Sequence, residues 1–156
     1  MLIHGDVGTG GNVLIADQGF SIIDWETAQY DGLPLADLLP LLGLALAALR
    51  GHASTTAAAQ FVLSLFAGRE SDSAWVLPVV LDYCRQVDVP LAQAGSLSAL
   101  AWGRQASMRL VHQELVIQDG RVPHDWESPA DEVARKWLGH SDLGKDWPAL
   151  SLCGAA

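Results

Sequence analysis

Basic residues are scarce in this chain: nine Lys and Arg stand against eighteen Asp and Glu, a formal charge of −9 over 156 residues. That balance argues against sequence-independent binding to nucleic acid and against docking on anionic membrane, since both want Lys/Arg surfaces. Cysteine is rarer still. Cys84 and Cys153 are far apart and in no metal-ligand spacing, so a reduced, cytoplasmic setting is the default. No apolar run approaches the ~20 residues that span a bilayer. The greasiest segment, Leu38 to Leu49, reads instead as a buried helix. The N-terminus has no basic region followed by an apolar stretch, so no signal peptide is expected. Internal repeats, low-complexity tracts and linkers are absent from the sequence. No serine sits in a Gly-x-Ser-x-Gly setting, which sets nucleophilic hydrolysis aside.

What is present fits one globular domain with a real core: half the residues are apolar and 17% are charged. The acidic balance is compatible with a cationic substrate and is also a common route to solubility. Residues 1–24 read as β. Val13-Leu14-Ile15-Ala16 and Phe20-Ser21-Ile22-Ile23 flank Asp17-Gln18-Gly19, which fits a three-residue hairpin turn with a left-handed glycine last.

After Pro34 the pattern turns helical. A central helix is expected over 35–49 with Gly51 as its stop, and a second over about 55–67 between Ser54 and Gly68. A third runs over about 74–87, with Asp72 or Ser73 as cap and Pro78 limiting how early it becomes regular. A fourth starts near Pro90, its apolar positions recurring at three- and four-residue intervals as far as Leu115. Val116 to Val122, with Asp119-Gly120, suggests a small hairpin. Ser128 or Glu127 starts a last helix through Leu138, with Pro129 in its first turn and Gly139 after it. The expected fold class is α+β: a short β-hairpin region over 1–34, a mainly helical lobe over 35–140 and an irregular tail over 141–156.

The chemistry-bearing residues cluster at the start: His4-Gly5-Asp6, then Asn12, then Ile23-Asp24-Trp25-Glu26. Phosphoryl transfer needs little covalent help from a protein; it needs positioning and charge neutralisation. Asp6, in a loop after a short strand, suits a carboxylate that takes a proton from an attacking hydroxyl. Asn12 and Asp24 suit Mg2+, which prefers a few oxygen ligands and keeps several waters. The hairpin folds the separation between Asp6 and Asp24 back on itself. Elsewhere, His52, His112, His124 and His140 have no ligand-like spacing, and Arg104, Arg109 and His112 read as a solvated helix face. The tryptophans at 75, 102, 126 and 137 read as packing rather than a stacking platform.

These residues resemble the catalytic core of the aminoglycoside phosphotransferase/choline kinase family, a branch of the protein-kinase-like fold. The family reads roughly HGDxxxxN, a hairpin, IDWE, then a GxPxxDL segment matched here by Gly32-Leu33-Pro34-Leu35-Ala36-Asp37-Leu38. The resemblance is specific over residues 2–39 and general, as an apolar helical lobe, beyond. It implies Asp6 as catalytic base, Asn12 and Asp24 as magnesium ligands, His4 as a brace of the catalytic loop, Asp37 as a hydrogen-bond acceptor for that loop's backbone, and Glu26 at the mouth of the site. It further implies ATP or GTP as donor and a small-molecule hydroxyl as acceptor.

Two departures from the family pattern stand out. Asn12 comes one residue later than the family places it, so the Gly8-Thr9-Gly10-Gly11 loop is expected to bulge. Only three residues precede His4, so the chain is expected to represent the C-terminal lobe without its nucleotide lobe. Gly8-Thr9-Gly10-Gly11 is no substitute, having no Gly-Lys-Ser/Thr ending. Expected partners are therefore a separately supplied N-terminal lobe or a second copy. The competing expectation is a non-catalytic helical module that binds such a partner.

Overall fold

Two short runs, Val-Leu-Ile-Ala and Gly-Phe-Ser-Ile, on either side of Asp17-Gln18 make the only ladder among the described residues. The computed structural model describes residues 1–9, 11–118 and 128–139. Strand β1 (Val13–Ala16) pairs antiparallel with β2 (Gly19–Ile22), in the register Val13–Ile22 through Ala16–Gly19. The turn is one residue tighter than the sequence suggests: Gly19 belongs to β2, and only Asp17 and Gln18 lie between the strands. Neither of these two has a positive φ, so the reversal falls on Gly19, whose φ of 147° is neither the left-handed value nor one a side chain tolerates easily.

Five helices follow among the described residues: α1 (Leu38–Leu49), α2 (Thr55–Phe66), α3 (Ser73–Gln86), α4 (Leu91–Gln118) and α5 (Pro129–Gly139). The chain is thus α+β and mainly helical. Helix α1 starts three residues later than its apolar pattern, because Leu35 takes a left-handed φ of 71° and residues 34–37 form turns. Helix α3 starts at Ser73 with Pro78 inside it, so the proline does not delay regular structure. Pro78 and Ala74 are both exposed, so the carbonyl robbed of its helical donor faces water.

Two ends are capped in recognisable ways. Ser54 Oγ accepts the Ala57 N–H at 3.1 Å at the start of α2. At α5, Ser128 and Asp131 form a reciprocal box: the Ser128 N–H and Oγ–H both donate to Asp131 Oδ2, and Ser128 Oγ accepts the Asp131 N–H.

The expected hairpin over Val116 to Val122 is corrected at its start, since α4 continues through Gln118. Val116 and Ile117 weaken a helix by only tenths of a kcal/mol, and no glycine or proline intervenes before Gly120. The rest of that segment, the loop at His124–Glu127 with Trp126, and the tail from Ser141 lie outside the described residues.

The core joins all five helices. Leu39, Val62, Leu65, Phe66, Val76, Val80, Trp102 and Val133 are sealed from solvent. Phe66 lies at its centre, with Trp102 edge-on at 6.4 Å and Trp137 tilted at 6.2 Å between ring centroids. Trp75 departs from the packing expectation: it is half exposed, and its indole N–H donates to Asp72 Oδ1. Helix α1 approaches α2 closely because Gly43 has no side chain; a Cβ there would sit 3.2 Å from Phe66 and Val62 atoms.

No helix among the described residues is long and apolar enough to cross a membrane. The hairpin itself is barely covered, with Ile15 86% and Phe20 71% exposed.

Candidate active site

Asp37, just ahead of α1, organises the N-terminal loop. Its carboxylate accepts two consecutive backbone N–H groups, from His4 at 2.6 Å and from Gly5 at 2.8 Å. Charge-assisted bonds of this kind are the strong ones, and two of them fix the loop's path over the helix end. Leu35 supplies the reach. Its left-handed backbone turns the chain while its side chain is wholly buried, so core packing holds the strained geometry in place.

Tyr83 of α3 closes the underside of this turn. Burial pushes its hydroxyl's pKa up, against a backbone hydrogen bond from Leu35 that pulls it down. The hydroxyl also meets Met1 Sδ at 3.4 Å.

His4 is 3% exposed and connects the loop to the hairpin. Its Nε2 lies 2.7 Å from the Ile23 carbonyl, and its Nδ1 accepts the Asp6 N–H at 3.3 Å. A carbonyl only accepts and an amide N–H only donates, so in this arrangement Nε2 is the donor to Ile23 and Nδ1 the acceptor from Asp6. Trp25 stands edge-on to the ring at 4.8 Å and is itself tied by its indole N–H to the Ile22 carbonyl. Thr27 Oγ1–H donates to the His4 carbonyl at 2.8 Å. His4 therefore fixes Asp6 on one side and the residue before Asp24 on the other.

Asn12 is brought back to Asp6. Its Nδ2 donates to the Asp6 carbonyl at 3.0 Å and lies 3.5 Å from Asp6 Oδ2. Between them run a short 3-10 turn, Val7–Thr9, and Gly11 at a φ of 95°, open to glycine and strained for other residues. That turn packs on α1 through Gly8, where a Cβ would fall 2.7 Å from the Pro40 side chain and 2.9 Å from its backbone. The Asn12 carbonyl accepts the Ile23 N–H at 3.0 Å, so Asn12 stands across the ladder's end from Ile23, next to Asp24.

Asp24 itself is exposed and left-handed, with φ 64° and ψ 60°. A non-glycine residue in this region carries strain of order 1 kcal/mol, and such strain concentrates at functional positions. Glu26 follows in a 3-10 turn, Trp25–Thr27, and faces solvent.

Among the described residues there is no group of three or more His, Cys, Asp or Glu side chains shaped to hold a metal. Magnesium does not ask for one, since one or two carboxylates with waters and substrate phosphates suffice. The Asn12 amide donates its NH2 to Asp6, which leaves its oxygen free of that bond, and the exposed Asp24 directly follows Ile23, whose N–H donates to the Asn12 carbonyl.

Three residues belong to the site that spacing alone did not single out. Trp25 and Thr27 sit within and just after the Asp-Trp-Glu signature, and that proximity was the available signal. Arg104 is a correction: its Nη1 donates to the Gly5 carbonyl at 3.4 Å, so it belongs to the loop rather than to a solvated helix face. No sequence signal connects positions 99 apart. Arg109 and His112 lie on a part of α4 whose side chains are outside the description.

Compared with family models, with curated proteins and with solved structures, the chain matches none.

Proposed function

We propose that this chain is the catalytic half of a small-molecule phosphotransferase of the aminoglycoside/choline kinase type, its fold the C-terminal lobe of a protein-kinase-like enzyme. The observation that carries the proposal is the single hydrogen-bond web joining His4, Asp6, Asn12, Ile23 and Asp37. It braces one carboxylate, one amide and the strand end before a second carboxylate, which is the donor set that phosphoryl transfer to a hydroxyl needs.

In this reading Asp6 accepts the proton of the acceptor alcohol. The alcohol oxygen bonds to the γ-phosphorus of ATP or GTP, and the bond from that phosphorus to the nucleoside diphosphate breaks. Asn12 and Asp24 hold Mg2+, which when bound neutralises phosphate charge. His4 and Asp37 keep Asp6 and the strand end in register, and Glu26 faces the incoming substrate. This reading also requires a phosphate-covering loop with a lysine, which the resemblance assigns to an N-terminal lobe. Without that lobe transfer is slow, because positioning can supply ~7–11 kcal/mol of a barrier.

The test is phosphotransfer from Mg-ATP or Mg-GTP to a panel of amino-alcohol, sugar and aminoglycoside acceptors. Asp6→Ala is expected to abolish turnover while its circular dichroism stays native. Retained turnover in that variant would overturn the mechanism.

A second reading is favoured by one observation, the uncovered apolar hairpin. Leu14, Ile15, Phe20, Ile23 and Tyr30 are all exposed, and a surface of that kind seeks a partner. Here the chain is a non-catalytic module that binds a nucleotide lobe or a second copy. The absence both of a thermal shift with Mg-ATP and of turnover favours this reading over the first.

A further inference from the structure

Arg104 lies midway along α4, and its guanidinium reaches back to the N-terminal loop. It is half-buried, and its Nη2 is sealed from solvent with no hydrogen-bond partner among the described residues. No carboxylate pairs with it there; the ion pairs described are Arg50–Asp72 and Lys136–Glu132. A guanidinium stays charged at any ordinary pH, so holding one here unpaired costs stability. An apolar side chain would pack in the same space at less cost. The charged group must therefore be explained by what it touches, and the polar contact it makes is with the Gly5 carbonyl, at 3.4 Å.

That carbonyl belongs to the peptide bond leading into Asp6. The same peptide's N–H is held by His4 Nδ1 at 3.3 Å, and the preceding N–H, that of Gly5, by Asp37. Arg104 thus holds the oxygen end of a peptide plane whose nitrogen end is already held. Gly5 permits the approach: it has a φ of 91°, and a Cβ on it would come 3.2 Å from Arg104 Nη2 and 2.8 Å from the Thr27 carbonyl. Nη2 has no solvent contact, so this nitrogen does not face a bound substrate.

We propose that Arg104 is a positioning residue: the helical half of the molecule uses it to set the Gly5–Asp6 peptide plane and so the direction of the Asp6 carboxylate. Its importance for catalysis rests on the reading of Asp6 as the acting base, whereas its hold on the peptide can be measured without any turnover.

The experiment is amide hydrogen exchange, resolved by NMR, on the full chain and on Arg104→Met. The expected result is that the Asp6 amide exchanges about tenfold faster in the variant while the Val62 and Val80 amides in the core are unchanged. An unchanged Asp6 amide overturns the proposal. So does faster exchange at Asp6 and at both core amides together, because that is general loss of stability. If Arg104→Met does not fold, Arg104→Lys is read by the same criteria, with about threefold expected at Asp6. Nucleotide and acceptor are absent from this assay, so failure of the phosphotransfer reading, seen as turnover that survives loss of Asp6, is a separate result.

Discussion

Replacing Asp37 removes the acceptor for two backbone N–H groups at once, and its cost can be worked from the geometry. The bonds from His4 and Gly5 are 2.6 and 2.8 Å long, and both donors belong to buried residues. Hydrogen bonds to a charged group contribute about 1.5–3 kcal/mol each, so the pair sums to about 3–6 kcal/mol. Asp37 is only partly buried, and water entering a truncated site recovers some of that, so the lower end applies. Asp37→Ala is therefore expected to cost about 3 kcal/mol. Asp37→Asn keeps one oxygen but turns an NH2 against the other N–H, for about 2 kcal/mol.

With a urea m-value of about 2 kcal/mol per molar, the alanine variant's midpoint falls by about 1.5 M. Asp31→Ala is the control: Asp31 is exposed, and its loss is expected to stay within about 0.5 kcal/mol. Urea denaturation followed by circular dichroism gives all three numbers. If Asp37→Ala shifts the midpoint no more than Asp31→Ala, the two short bonds do not hold the loop and the argument built on them fails.

Two further outcomes are expected. Gly8→Ala drives a Cβ into the side chain and backbone of Pro40, so the loop must lift from α1; a loss of about 1–3 kcal/mol in thermal denaturation checks it, and an unchanged melting temperature refutes the close approach. Arg50 holds Asp72 in a two-pronged pair at 2.8 and 2.6 Å, mainly through those hydrogen bonds, and keeps its pKa below the usual carboxylate value. A depressed folded-state pKa adds stability above the unfolded pKa near ~4 and loses it as pH falls through the folded value. The difference in urea midpoint between the native chain and Arg50→Met should therefore be present at pH 7 and shrink below pH 4. A difference that does not change with pH rules out the ion pair as its source.

Local chemistry was legible in the sequence wherever one residue type does one job. Ser54 before an apolar helix, Pro129 in a first turn, and two apolar runs flanking a short polar turn all carry their structural meaning with them. The failures have a common cause, which is that long-range contact overrides a local pattern. Leu35 has the apolar spacing of a helix but is held left-handed by the core and the turn that presents Asp37. Val116 and Ile117 look strand-like yet follow a helix already 25 residues long, where adding a turn is easier than breaking it. Arg104 could not be placed, because a side chain's partner on another element has no periodicity to betray it. The motif residues were singled out by residue type and by resemblance to a family pattern, whereas the contacts by which Thr27 and Trp25 brace His4 required coordinates.

The proposed function requires that Asp24 and Asn12, held by the web around His4, serve as ligands for a divalent cation. Titration with Mn2+, followed by the loss of its free electron paramagnetic signal, measures this on the chain as it exists. One saturable site is predicted, weakened at least about tenfold in Asp24→Asn, since one charged oxygen ligand of a hard cation is lost, and unaltered in Asp31→Asn. No saturable binding, or equal binding by the native chain and Asp24→Asn, would contradict the account.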